Sequence, residues 1–263
     1  MVRQSKSLNM KSDKIKNYLL VFSGKGGVGK STIAVNLAIT LANKGLKVGL
    51  LDADIHGPDL ALMLGAQDKR LIPCGEHQIL PVEIDNNLSL VSLAYFIPRV
   101  DTPIIWRGPA KMKIIEQFVK DVIWGDLDWL IIDSPPGTGD EVLSIAQLLP
   151  KAGAIIVTTP QDVSLLDSKK AINFAKKLKL RIHGLIENMS GLSCPHCGKA
   201  VNLFKIDSGL KIARQYKIPF LGSIPIDPDI VISGDNGVPI TMNKKSGITK
   251  LFLSIVDKLL AYK

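Results

Sequence analysis

Short apolar, β-branched runs alternate along this chain with stretches whose apolar residues recur every three to four positions. Tyr18–Phe22, Lys47–Leu51, Leu88–Leu93, Asp128–Asp133, Ala154–Thr158, Arg181–Glu187 and Phe220–Ile224 read as strands. Several are apolar almost throughout, as strands covered on both faces are. Amphipathic segments lie between them: Lys30–Asn43, which stops at Gly45, then Pro109–Trp124, Asp140–Leu148, Ser164–Leu178 and Asp207–Tyr216. A last helix runs from about Ile248 to Ala261. This alternation predicts an α/β fold, a doubly wound and mostly parallel sheet with helices on both faces. No internal repeat or low-complexity tract interrupts it. The expected organisation is a flexible basic tail over residues 1–17 and a single domain over 18–263.

Composition narrows the class. With 263 residues and 46% apolar side chains, the chain has ample material for a buried core, which excludes wholesale disorder. No apolar run approaches the ~20 residues of a bilayer span, and the start MVRQSKSLNMKSDKIKN lacks the apolar stretch of a secretory signal. A cytoplasmic protein is expected. Of the formal charge of +9, residues 1–17 supply +4, leaving +5, modest beside a dedicated nucleic-acid domain. A second basic cluster, Lys169, Lys170, Lys176, Lys177, Lys179 and Arg181, reads as a solvated helix face or a surface for an anionic partner. Three cysteines in a chain of this length argue against a disulfide framework.

Residues 24–31, GKGGVGKS, have the spacing of a phosphate-binding P-loop, with an apolar strand running in and a helix opening at Lys30. Gly24, Gly26, Gly27 and Gly29, with Val28 between, permit the close backbone approach that turns N–H groups onto an anion. Lys30 is expected to reach the β- and γ-phosphates. Ser31 offers its hydroxyl to Mg²⁺, and Thr32 continues the helix beside the nucleotide. Lys25 adds a second cation near the phosphates, where it would stabilise charge on the transferring phosphoryl group.

Two acidic segments end strands at the same sheet edge, where doubly wound folds bind ligands. LLDADIHGPD (50–59) places Asp52 near the metal and Asp54 where it could orient the attacking water. IIDSPPGTGD (131–140) offers Asp133 to Mg²⁺, directly or through water. Each carboxylate could instead cap a turn, but three converging on one P-loop favour chemistry. Asn188, in GLIENMS, has an amide able to pair with an adenine edge or to cap a turn.

SCPHCGK (193–199) is a tight CxxC. Cys194 and Cys197 can bind one metal centre, iron–sulfur or zinc, but supply only two ligands. Half a site predicts a homodimer that brings four thiolates together on a two-fold axis. Cys74 and His77, in LIPCGEH, read as an incidental surface loop, and His196 as solvent-facing.

The P-loop, DADIHGP, WRGP (106–109), IIDSPPGTGD, ENMSG, CPHCG and IPIDP occur in this order over roughly residues 18–240. The KGGVGK start resembles the deviant Walker A class, which includes the nitrogenase iron protein and the MinD and ParA ATPases. The whole set resembles the Mrp/ApbC family of ATP-dependent iron–sulfur cluster carriers; the CxxC after ENMS separates that family from its MinD and ParA relatives. The resemblance implies a P-loop NTPase fold of the nitrogenase-iron-protein/MinD type and a homodimer whose Lys25 crosses to the partner's nucleotide. It also implies a bridging [4Fe–4S] cluster on Cys194 and Cys197, and slow ATP hydrolysis coupled to delivery to apo iron–sulfur proteins. Neither nucleic acid nor membrane is an expected partner. The rival readings are a MinD/ParA-type positioning ATPase, for which the apolar face of the C-terminal helix would meet a membrane, and an ATPase with structural zinc on its thiolates.

Overall fold

The computed structural model describes residues 15–54, 57–75, 78–96, 108–193, 197, 199–201, 203–204 and 207–262. Among them the strands are β1 (Ile15–Phe22), β2 (Val48–Asp52), β3 (Ile72–Cys74), β4 (Gln78–Leu80), β5 (Val82–Asp85), β6 (Leu88–Ser92), β7 (Leu127–Asp133), β8 (Gly153–Thr158), β9 (Arg181–Glu187), β10 (Leu192–Ser193), β11 (Ala200–Val201) and β12 (Phe220–Ser223). The helices are α1 (Lys30–Asn43), α2 (Leu60–Met63), α3 (Gly108–Lys120), α4 (Asp140–Leu148), α5 (Asp162–Lys177), α6 (Ser208–Tyr216), α7 (Pro228–Asp235) and α8 (Gly247–Ala261).

Eight strands form one sheet in the order β12-β9-β8-β1-β7-β2-β6-β5. Every pairing is parallel except that of β5 with β6 at the edge. Side-chain alternation divides the central strands between two cores. Leu19 and Val21 of β1 point with Trp129 and Ile131 of β7 into the layer covered by α1 and α8. Leu20 and Phe22 point with Leu130 and Ile132 into the layer covered by α3, α4, α5 and α6. The all-apolar runs of the sequence are therefore explained by burial on both sides.

The seven predicted strands and six predicted helices are present, with ends moved by a few residues. One boundary needs correction: β1 begins at Ile15, so residues 15–17 belong to the sheet and not to a tail. Polar residues hid this, and β7 explains it. Ile15 pairs with Leu127, Lys16 binds Asp128 at 2.7 Å, and the Asn17 amide donates to the Asp128 carbonyl at 2.9 Å. The rest of the expected tail lies outside the described residues. The short elements β3, β4, β5, α2 and α7 were not anticipated, because none is long enough to show a period.

The C-terminal helix α8 buries Ile248, Phe252, Ile255, Val256 and Leu259 against the sheet and α1. Its apolar face is thus core, which removes the feature that suggested a membrane contact. Among the described residues no helix is long and apolar enough to cross a membrane. Truncating the fully buried Phe252 to Ala should cost about 3–5 kcal/mol.

Candidate functional site

At the carboxyl end of β1 the chain turns into the P-loop, and α1 starts at Lys30 with Gly29 as its cap at φ +84°. Among the described residues no side chain caps this helix. Its first amides are left for an anion, in line with the positive end of the helix dipole. Two glycines are required by packing as well as by the phosphate. A Cβ at Gly24 would sit 2.1 Å from the Asp167 carbonyl oxygen on α5, and one at Gly29 would sit 2.3 Å from Asn188 Nδ2. The Ser23 hydroxyl donates to the Lys25 carbonyl at 2.6 Å and pins the loop's entry.

Lys30 is buried at 7% exposure, whereas Lys25 is half-exposed. The two lysines thus have separate surroundings. Lys25 Nζ donates to Gln161 Oε1 at 3.3 Å, at the start of α5. Gln161 was not singled out from the sequence, although its place just beyond the carboxyl end of β8 marks it as part of this sheet edge.

The carboxylates converge as expected. Asp52 and Asp133 are paired positions on the adjacent strands β2 and β7, and both side chains are buried. Asp52 is fully committed to the fold. Its Oδ1 accepts from the Asp54 amide at 3.3 Å, and its Oδ2 accepts from the Ser92 hydroxyl at 2.8 Å and the Leu60 amide at 3.3 Å. Burial, reinforced by the Asp133 charge, raises its pKa well above the ordinary carboxylate value. Asp133 differs. Burial raises its pKa to about 7, while the Ser31 hydroxyl and the Lys30 charge oppose that rise and Asp54 and Asp59 add to it. Among the described residues its buried Oδ1 has no hydrogen-bond partner. A buried anionic oxygen left open beside the P-loop hydroxyl suits a divalent cation or its water. Asp133 and Ser31 therefore fit Mg²⁺, with Asp52 behind them as a bracing group. Asp54 is half-buried two residues beyond Asp52.

The Asn188 amide is occupied by the P-loop itself: Nδ2 donates to the Val28 carbonyl at 2.9 Å. Next to it, buried Glu187 accepts from the Ser190 hydroxyl at 2.5 Å and from the Gly209 amide in the first turn of α6. The Ser190 amide donates to the Ile224 carbonyl at 2.9 Å, and the Ile226 amide to the Gly191 carbonyl at 2.8 Å. From this foundation β10 and β11 rise as an antiparallel ribbon, Ser193 paired with Ala200. Cys197 is exposed. Cys194, the other expected ligand, lies outside the described residues, as do His77 and His196. Cys74 is half-buried on β3, which among the described residues pairs with β4 in a two-stranded hairpin.

Comparison with known proteins agrees with this geometry. A family model described as the NUBPL iron-transfer P-loop NTPase matches residues 14–260. An iron–sulfur cluster carrier protein of Methanocaldococcus jannaschii is 45% identical, over 98% of this chain and 90% of that protein. The cytosolic Fe-S cluster assembly factor CFD1 of Kluyveromyces lactis is 46% identical, over 94% of this chain and 91% of its own. Among solved structures, an ADP-bound nucleotide-binding protein from Archaeoglobus fulgidus superposes with a TM-score of 0.77 at 34% identity, covering 90% of this chain and 92% of that one. MinD of Aquifex aeolicus, at 23% identity and a TM-score of 0.68 over 93% and 97% of the two chains, shares the fold.

Proposed function

This chain belongs to the NUBPL iron-transfer P-loop NTPase family, and from that premise we propose that it is an ATP-hydrolysing carrier of iron–sulfur clusters. Two copies would hold one [4Fe–4S] cluster between their Cys194 and Cys197 thiolates and pass it to apoproteins in the cytoplasm. The observation that carries the reading is the ribbon β10–β11. The chain runs from it to Cys197, which is exposed, and its root is continuous with Asn188, the residue that grips the P-loop. On this reading cluster and nucleotide would sit at two ends of one short segment. The exposure of Cys197 also suits a carrier, which must surrender its cargo by ligand exchange.

In the hydrolytic step, the amides of residues 24–32 bind the ATP phosphates and Lys30 neutralises the β- and γ-oxygens. Ser31 and Asp133 would hold Mg²⁺, whose charge offsets that of the phosphates. Asp54 orients the water that attacks the γ-phosphorus, and ADP departs. Lys25, released from Gln161, crosses to the nucleotide of the second copy and stabilises the phosphoryl oxygens there. Asn188 holds the loop that cradles the phosphates, and its amide oxygen would be left for an adenine contact.

Anaerobic reconstitution with iron and sulfide tests the cargo. A broad absorption near the visible blue edge, about four iron and four sulfide per two chains and negligible zinc support the reading. Protein that takes up only zinc under these conditions overturns it.

A further inference from the structure

We propose that the cleft between α5 and α6 is the docking site for an acidic, amphipathic segment of the apoprotein that receives the cluster. The inference rests on the carrier reading and adds the kind of partner and the surface that meets it.

The cleft, of about 400 Å³, is lined by Asp162, Leu165, Leu166 and Lys169 of α5 and by Ser208, Lys211, Ile212 and Gln215 of α6, so its two lysines outnumber its single carboxylate. Its apolar part is graded: Ile212 is buried, Leu165 half-buried and Leu166 57% exposed. Leu166 is a large apolar side chain that the fold leaves uncovered. Lys169 and Lys211 add charge, and among the described residues neither has a carboxylate within ion-pair distance. Other members of the same basic cluster are already spent inside the chain. Lys170 pairs with Asp167 at 3.2 Å, Lys176 donates to the Tyr216 carbonyl at 3.0 Å, and Arg181 donates to the Tyr262 carbonyl at 2.6 Å.

The charge is concentrated on this side of the molecule. Residues 162–181 and 207–217 hold nine basic and three acidic side chains, a net +6 of the chain's +9. Residues 1–17 hold a further +4, so everything else together nets −1. Such a field attracts an anionic partner and speeds its encounter. The leucines and Ile212 decide which anionic partner. A phosphate backbone makes no use of an apolar cleft, whereas a protein segment seats an apolar anchor in one and pairs its rim with carboxylates.

Position supplies the purpose. Ser208, which lines the cleft, opens the helix whose Gly209 amide is held by Glu187. Glu187 also holds Ser190, four residues before Cys194. A partner seated in the cleft is thus beside the root of the ribbon from which the chain runs into the CxxC segment.

The test uses the full-length protein and a fluorescently labelled acidic apo-ferredoxin as the probe, with labelled duplex DNA as the comparison. Binding is read by anisotropy, and cluster transfer separately by absorption. Lys169→Glu with Lys211→Glu should weaken ferredoxin binding tenfold or more, and salt well above physiological strength should abolish the difference. Leu166→Ser should weaken ferredoxin binding while leaving any DNA attraction as it was. Nucleotide affinity, set at the P-loop, reports that the variants are folded. Unchanged ferredoxin binding in the double variant, or a loss shared equally by DNA with no effect of Leu166→Ser, overturns the proposal. The two readings fail separately. Ferredoxin that docks through the cleft but receives no cluster refutes the carrier; cluster transfer at the parental rate by the double variant refutes the cleft.

Discussion

Lys25 Nζ lies 3.3 Å from Gln161 Oε1, so the second lysine of the P-loop is held at the start of α5, apart from buried Lys30. The two cations are therefore expected to separate on mutation. Lys30→Ala should abolish nucleotide binding, because that charge belongs to the phosphate cradle. Lys25→Ala should bind ATP yet hydrolyse it at least tenfold more slowly, a loss of about 1.4 kcal/mol or more from the transition state alone. Steady-state turnover and equilibrium binding, measured on the same preparations, decide this. A Lys25→Ala protein that hydrolyses ATP like the parent removes the cross-subunit role.

Asp54→Asn should keep nucleotide affinity and lose turnover, since water positioning matters only once the nucleotide is seated. Should binding fall instead, Asp54 is a structural or metal-holding residue.

The buried Asp133 predicts a pH signature with a defined sign. Its folded pKa of about 7 lies above the ordinary 3.8, so the native state binds the extra proton. Stability from this group is complete below pH 3.8 and is lost as pH rises through about 7. In the absence of divalent cation, Asp133→Asn should flatten that fall in denaturation curves. Mg²⁺ affinity should run the opposite way for the parent, weakening below about pH 7 as the carboxyl takes up its proton. A parent whose stability and Mg²⁺ affinity are flat from pH 5 to 8 would mean that Asp133 is ionised throughout.

Gly29→Ala tests the grip of Asn188 on the loop. The added methyl would lie 2.3 Å from Asn188 Nδ2, on a backbone at φ +84°. Nucleotide affinity should drop by an order of magnitude or more, and Asn188→Ala, which removes the obstacle along with the Val28 bond, should also lower it. Wild-type affinity in both variants would make the contact incidental.

Much of this site can be read along the chain because its parts are local. The P-loop is eight consecutive residues, and Asp52 and Asp133 each end an apolar run, so the strand pattern alone delivers them to one edge. Relations across the sheet are not legible in this way. Nothing in the sequence pairs Lys25 with Gln161, 136 positions away, or Asn188 with Val28, 160 positions away. The adenine contact read for Asn188 came from its chemistry, and the register of β9 spends part of that chemistry on the loop. Nothing in the sequence marks Ser92, which braces Asp52 from 40 positions away. The start of β1 was missed for the converse reason, since its polar residues find partners on Asp128 and look like tail without them. The apolar face of α8 was legible, and only packing could say that the sheet covers it.

The central claim is that Cys194 and Cys197 carry a transferable cluster, and transfer itself is the most direct measurement. Protein reconstituted without oxygen is mixed with an apo iron–sulfur enzyme, and recovery of that enzyme's activity is followed over time. The parent and Cys74→Ser should activate the acceptor alike. Cys194→Ser with Cys197→Ser should bind nucleotide normally and activate nothing, since the substitution removes all four thiolates of a dimer's site. Activation by the double variant at the parental rate would contradict the account.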